Sequence, residues 1–378
     1  MRGRPGRAMR GAPARGGGSG CVRVRAGRAI AAGLVGLAGV GLLGHLALSL
    51  LTDWRVRLHT VDAGEVALTV TGALLRERAA DGTLVLRAWA PNPVVRVTRA
   101  SGRQPIRLHV ENLPERATLD ASGPIDERRS GTARTLSFDG AETRRLAFRV
   151  PDDAVTFAVL GDTGDSAVFA QALHATKLRG GDFLIHAGDV VYEDEQMPAI
   201  AGILAGAPVP VYVVRGNHDY RNAQRIAFLR GLGPPYYVIR MGGATVVVLD
   251  NAGEYLPTFW RRSSQYRWWR ERLAEPRAGP LLVAMHKPPF DRRTGPRRAP
   301  MLDEPFARAL MADFKAAGVE AVLTGHVHET HLWVEDGIPY VVVGEGMSYP
   351  ERAEGSRMAW VRVRGWTVEV EQVPIWRR

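Results

Sequence analysis

The stretch from Phe157 to Tyr192 reads FAVLGDTGDSAVFAQALHATKLRGGDFLIHAGDVVY, and its texture decides the fold. Phe157–Leu160 is a continuous apolar run, as expected of a strand buried on both faces. Ala167–Leu178 carries helical apolar spacing, and Phe183–His186 is a second buried run. Both runs end in a Gly-Asp pair. The pattern continues downstream with the short apolar strands Val211–Val214, Thr245–Leu249, Leu281–Met285 and Ala321–Leu323. Helical stretches intervene near Ala199–Ala205, Ala223–Leu232, Ser264–Leu273 and Pro305–Ala317. Strands interleaved with helices predict a layered α/β fold with both sheet faces covered. Two hairpins close the chain, HLWVED-GIPYVVV and MAWVRVR-G-WTVEVEQV. Tyr266, Trp268 and Trp269 fit a helix packing on the sheet; the other reading is stacking on a nucleotide base.

Upstream, the pattern is different. EVALTVTGALL, TLVLRAWA, VVRVTRA, IRLHVENL, RTLSFDG and RRLAFRV alternate apolar and polar residues between Gly, Pro, Asp and Ser clusters. They predict a small antiparallel sandwich. It holds no cluster of metal or nucleophile residues, so its expected role is structural, as a spacer or a wall of the cleft. The change at Pro151-Asp152-Asp153 sets the boundary between a β-rich domain, 53–152, and a catalytic domain, 154–376.

The net charge of +11 over 378 residues does not describe a basic folded surface. Arg2, Arg4, Arg7, Arg10, Arg15, Arg23, Arg25 and Arg28 lie in a 1–28 tail without acidic residues. The other residues carry only +3, so the basicity belongs to the tail and no specific nucleic-acid partner is expected. The sole cysteine, Cys21, rules out an intrachain disulfide. Residues 29–51, AIAAGLVGLAGVGLLGHLALSLL, form an uncharged run of 23 residues, about 34 Å as a helix. That is enough to cross a hydrocarbon core of about 30 Å. The run is longer than a signal-peptide core and lacks a clear A-x-A-like cleavage site, which favours a single-pass signal anchor. The arginine excess before it places the N-terminus in the cytoplasm and the rest of the chain outside the cytoplasmic membrane.

Polar clusters follow the apolar strands where open α/β sheets place their ligand sites. These are Gly161-Asp162-Thr163-Gly164-Asp165, Gly188-Asp189-Val190-Val191-Tyr192 and Gly216-Asn217-His218-Asp219 after Arg215. His286-Lys287-Pro288-Pro289 and Gly325-His326-Val327-His328 complete the set. A single Gly-Asp turn or strand-ending histidine is ordinary. Five such clusters in one domain, each ending a strand, are not. Carboxylates, a phenol, imidazoles and an amide oxygen suit iron, manganese and zinc. No cysteine cluster points to an iron–sulfur or thiolate zinc site.

In order, the clusters read DxG, GDxxY, GNH(D/E), VxxH and GHxH across residues 157–328. This set resembles the calcineurin-like metallophosphoesterase superfamily, in detail its purple acid phosphatase branch. Gly164 replaces the histidine that many members carry, and Tyr192 fills the tyrosine position. The resemblance implies a metallophosphoesterase β-sandwich flanked by helices. It also implies one metal held by Asp162, Asp189, Tyr192 and His328, and a second by Asp189, Asn217, His286 and His326. The activity so implied is phosphate ester hydrolysis by a hydroxide held between two ions about 3.5–4 Å apart. His218 is then free to assist the leaving group, with Asp219 either orienting it or serving as a turn carboxylate. A phenol, with its pKa near 10, favours Fe(III) beside a second Fe, Zn or Mn(II). Arg215 and Lys287 are candidates for substrate phosphate or simply solvated charges. His331 is a candidate for the pocket wall, and His186 reads as a core histidine. His328 is followed by Glu329-Thr330-His331 where that branch commonly has Tyr-Glu-Arg, so substrate identity does not carry over. The competing reading is an inactive phosphoesterase fold serving as a scaffold at the membrane.

Overall fold

The computed structural model describes residues 59–62, 66–99, 104–139, 143–151, 154–253, 263–346 and 355–375. The basic tail and the apolar run 29–51 lie outside these residues. Among the described residues no helix is long and apolar enough to cross a membrane.

Ten strands precede Pro151: β1 (His59–Asp62), β2 (Val66–Thr71), β3 (Ala73–Arg78), β4 (Leu84–Ala88), β5 (Val94–Arg99), β6 (Ile106–Glu111), β7 (Thr118–Ala121), β8 (Asp126–Ser130), β9 (Ala133–Phe138) and β10 (Arg144–Arg149). They form two five-stranded sheets, ordered β1-β2-β5-β10-β7 and β3-β4-β6-β9-β8. Alternation brings Leu68, Val70, Val95 and Val97 of the first sheet into one core with Leu84, Leu86, Leu108 and Leu136 of the second. The run 65–75 is not one strand. Gly72 breaks it at φ +80, and a Cβ there would stand 2.9 Å from Pro93 Cα. Only glycine reaches that conformation without strain, so β2 and β3 diverge into different sheets. β5 also belongs to the other sheet, which leaves β4 and β6 paired in parallel within an otherwise antiparallel arrangement.

From Val155 onward helices alternate with strands. The elements are β11 (Val155–Leu160), α1 (Ala167–Leu178), β12 (Phe183–His186), α2 (Met197–Ala205), β13 (Val211–Val213), α3 (Asn222–Gly231), β14 (Tyr237–Met241) and β15 (Ala244–Val248). α4 (Ser264–Leu273), β16 (Leu281–Ala284), α5 (Glu304–Ala317), β17 (Val319–Thr324), β18 (Thr330–Glu335), β19 (Ile338–Val343), β20 (Arg357–Arg364) and β21 (Thr367–Pro374) follow. Two mixed sheets result, ordered β13-β12-β11-β20-β21 and β14-β15-β16-β17-β19-β18. They face each other across a core that includes Phe157, Val159, Ile185, Val246, Leu282, Leu323 and Val361.

The continuous apolar runs now have a cause. On β11, Phe157 and Val159 face the opposite sheet, while Ala158 and Leu160 face Val168, Phe169 and Leu173 of α1. On the far side, Trp269 of α4 and Phe306, Leu310 and Phe314 of α5 cover Val247, Val283 and Val322. Residues 155–375 form a helix–sheet–sheet–helix sandwich, and Trp269 is a core residue. Helix α5 starts at Asp303, which accepts the Phe306 N–H at 3.0 Å, and stops at Gly318 with φ +65.

The N-terminal sheets brace β13, the edge strand that leads to Asn217 and His218. Asn112 accepts from Val211 N at 2.7 Å and donates to Val211 O at 3.0 Å, acting as a substitute ladder residue. Arg87, 3% exposed, donates to the same carbonyl at 3.2 Å. Tyr237 donates to Val213 O at 3.0 Å. An edge that would otherwise bury unpaired polar groups is thereby satisfied.

Candidate metal centre

β11, β12 and β13 run parallel, as do β15, β16 and β17, and the polar clusters leave their carboxyl ends. Six non-glycine residues among those described have positive φ. Four of them are Asp162 (60°), Asp189 (54°), His326 (72°) and His328 (54°). Left-handed backbone at non-glycine residues costs about 1–3 kcal/mol each and persists only where surroundings enforce it. Its concentration at four candidate ligands marks this loop cluster as a built site. The adjoining glycines allow the loops to meet. A Cβ on Gly188 would stand 2.4 Å from His286 Nδ1, and one on Gly216 would stand 2.2 Å from Asp189 Oδ1.

The side chains gather into two groups. In one, Asp189, His286 and His326 each offer a ligand atom within 4.8 Å of the others. His286 Nε2 lies 3.3 Å from Asp189 Oδ2 and 3.0 Å from Asn217 Oδ1. In the other, His328 Nε2 lies 3.5 Å from Asp162 Oδ1 and 3.3 Å from the Tyr192 hydroxyl. Ligand atoms bound at about 2.0–2.2 Å to a common ion stand about 3.0–3.5 Å apart, so these spacings fit metal coordination. His286 Nδ1 meets the Ala187 carbonyl at 2.8 Å, which directs Nε2 into the cluster. Asp162 Oδ2 accepts the His326 N–H at 2.8 Å, whereas its Oδ1 is buried with no hydrogen-bond partner among the described residues. A buried carboxylate oxygen of that kind calls for a cation.

The electrostatics agree. Burial raises the Asp162 carboxyl well above its ordinary range, with the Asp189 charge adding to the effect. For His286 burial opposes protonation, yet the Asp189 and Asp162 charges outweigh it and raise its pKa to about 9. Asp189 shows the reciprocal lowering: burial would raise it, but His286 outweighs burial. The paired charges of Asp162 and Asp189 thus favour a positive charge in this pocket. Burial lowers His326 to about 2 and also lowers His328, leaving both as neutral donors. The residues fit a metal site.

The neighbouring candidates separate. Asp219 does not orient the His218 ring: its carboxylate accepts the N–H groups of Asp189 (2.9 Å), Val191 (2.9 Å) and Gly216 (2.8 Å). It ties the Asp189 loop to the Asn217 loop. The His218 N–H reaches Asp189 Oδ1 at 2.8 Å, and its ring lies 4.4 Å from that of Tyr192. Arg215 is buried in an ion pair with Asp250, so its charge is answered inside the protein and not offered to substrate phosphate. Lys287 is half-buried beside His286, and its backbone N–H meets Asn251 Oδ1 at 3.1 Å. His331 sits on β18, 3.0 Å from Glu329 Oε2, with its ring stacked on Trp333 at 5.0 Å. His186 is a core histidine, fully buried 2.8 Å from the Thr163 hydroxyl.

The family model described as calcineurin-like phosphoesterase matches residues 155–330, the segment that carries every one of these candidate ligands. Residues 155–330 are thus a calcineurin-like phosphoesterase domain. A probable cyclic nucleotide phosphodiesterase of Rhodopseudomonas palustris is 31% identical over 177 residues, 42% of this chain and 61% of that protein. One of Fibrobacter succinogenes is 25% identical over 182 residues, 46% of this chain and 68% of its own. The chain therefore spans under two thirds of the first relative's length. Among solved structures, a purple acid phosphatase from yellow lupin seeds shares 15% identity at TM-score 0.48, over 81% of this chain and 72% of its own.

Asn251 is a functional neighbour of this phosphoesterase site that sequence reasoning misses. Its Oδ1 accepts the N–H groups of His286 and Lys287, both at 3.1 Å, and its Nδ2 donates to Lys287 O at 2.8 Å. It thereby fixes the backbone at His286. The signal was available: Asp250-Asn251 is a polar pair after an apolar run, in the same position as the recognised clusters.

Proposed function

We propose that the chain is a metal-dependent phosphoesterase with a two-ion centre, one ion held by Asp162, Asp189, Tyr192 and His328 and the other by Asp189, Asn217, His286 and His326. The observation that carries this reading is the convergence of seven candidate ligands from five strand ends, four of them in enforced left-handed backbone. Bound there, the ions supply Lewis acidity toward phosphoryl oxygens and lower the pKa of water. The chain's own part is geometric. Asp219 and Asn251 fix the loops that carry the ligands, and His218 stands beside the centre to serve the leaving oxygen. Phosphate monoesters and diesters are both within this chemistry, and the probable cyclic nucleotide phosphodiesterases among the relatives favour including cyclic diesters.

The test uses the full chain in detergent, loaded in turn with iron, zinc or manganese and assayed against mono-, di- and cyclic diesters. Turnover should disappear on chelation and return on metal addition. Activity indifferent to chelators would refute the proposal. We assign Fe(III) to the Tyr192 side, since ferric iron stabilises a phenolate. Iron-loaded protein should then show a visible charge-transfer band that Tyr192→Phe abolishes. A colourless, fully active zinc or manganese enzyme would remove iron from the assignment while leaving the hydrolase intact.

Residues 29–51 are read as a membrane anchor, which puts the phosphoesterase domain outside the cytoplasm, with the β-rich segment 53–152 between the two. The charge asymmetry around the run supports this topology. A C-terminal reporter that works only when exported should be active. One active solely in the cytoplasm would reverse the orientation.

A further inference from the structure

We propose that Arg293 is a positioning residue that locks the turn bearing His326 and His328 to the segment that follows His286. The proposal rests on the metal-centre reading above. Arg293 follows β16 by nine residues, and only 12% of its side chain is exposed. Its guanidinium meets four partners. Nη2 donates to Asp291 Oδ2 at 2.8 Å and to Arg297 O at 2.6 Å, and Nε lies 3.1 Å from both Asp291 oxygens. Nη1 donates to Val327 O at 3.2 Å and reaches Glu329 Oε1 at 3.1 Å.

The first two contacts make a rigid base. The Asp291 carboxylate is fully buried and also accepts the N–H groups of Arg293 at 2.9 Å and Ala299 at 2.8 Å. Arg298 Nε closes the loop on Asp291 O at 3.1 Å. The other two contacts reach across to the His326-Val327-His328 turn. Val327 lies between two residues of positive φ, 72° and 54°, so its peptide groups are where that turn would relax. Beyond Glu329 Oε1, the second oxygen of the same carboxylate is held by His331 Nε2 at 3.0 Å. The Arg293 fork thus joins the loops after two adjacent parallel strands, one leading to His286 and the other to His326 and His328.

The role demands arginine. One planar group must satisfy acceptors in several directions, which the single ammonium of lysine does not span. Arg293→Lys should therefore behave like Arg293→Ala and not like the native protein.

The experiment compares full-length native, Arg293→Ala and Arg293→Lys proteins by two readouts. Zinc affinity, read by competition against a chromophoric chelator, should fall about 10–100-fold in both variants, the usual effect of removing an outer partner of a ligand. Hydrogen exchange in the metal-free proteins should accelerate in the peptide covering residues 325–330 and stay unchanged at β14. If Arg293→Ala fails to fold, Arg293→Lys and Glu329→Gln carry the same two measurements. Native affinity and native exchange in Arg293→Lys would overturn the proposal, since charge alone would then suffice. Absence of zinc binding by the native protein would sink the metal-centre reading instead, and the exchange result would still decide whether Arg293 holds the turn.

Discussion

Asp189→Ala should leave the protein short of its metal complement and nearly without turnover. Asp189 is buried, its Oδ2 lies 3.3 Å from His286 Nε2, and it shares the closest cluster with His286 and His326. Its other oxygen holds the His218 N–H, so the carboxylate joins the metal cluster to the Asn217-His218 loop. Losing an outer partner of a ligand costs about 10–100-fold, and losing a ligand shared by two ions, as proposed for Asp189, should cost more. Alanine also tolerates φ 54° less readily than aspartate, so Asp189→Asn is the necessary companion. Asparagine keeps the backbone preference and the shape but drops the charge. Metal content by elemental analysis and kcat on a phosphoester decide the matter for both variants. Two retained ions with a near-native rate would remove Asp189 from the centre.

The α/β sandwich is legible because strands buried on both faces leave unbroken apolar runs, and the helices over them keep helical spacing. Phe157–Leu160 and Ala167–Leu178 show both signals without ambiguity. Strand β14, YVIRM, is less visible since Arg240 interrupts a short apolar run. In the N-terminal sheets, alternation reveals strands but not their partners. The switch at Gly72 and the parallel β4–β6 pair depend on contacts with Pro93 and β5 that no local pattern encodes. β7 and β8, TLDA and DERRS, are mostly polar surface strands held by ladder bonds, so hydrophobic spacing does not announce them.

In the site, residue type and spacing pointed to Asp162, Asp189, Asn217, His286, His326 and His328, and the structure brings them together. What spacing does not reveal is direction. Asp219 and His218 are neighbours, yet the carboxylate turns to three backbone N–H groups and the imidazole does not follow it. Arg215 precedes Gly216-Asn217 but pairs with Asp250, a partner 35 residues away. Each outcome follows from desolvation: a buried charge takes whichever buried partner can satisfy it, and that partner is set by tertiary structure.

His218→Ala should keep both metal ions and lose about 10²–10⁴-fold in kcat, the range expected when a positioned donor to the leaving group is removed. The His218 ring lies outside the Asp189–His286–His326 cluster, 4.4 Å from the Tyr192 ring, while its backbone N–H holds Asp189 Oδ1. Alanine preserves that backbone bond, so the substitution tests the ring alone. Burial lowers the imidazole pKa, which leaves the ring neutral near pH 7 and able to donate one N–H. Among the described residues no carboxylate holds its Nδ1, which is buried without a hydrogen-bond partner. A neutral donor helps most when the departing oxygen is a poor leaving group that needs its charge offset. The loss should therefore be large for alkyl esters and shrink for nitrophenyl esters, whose phenolate departs unaided. Parallel Brønsted series on native and His218→Ala proteins measure this: the variant should show the steeper dependence on leaving-group pKa. Equal slopes would exclude a role at the leaving oxygen, and loss of an ion in His218→Ala would make His218 a ligand.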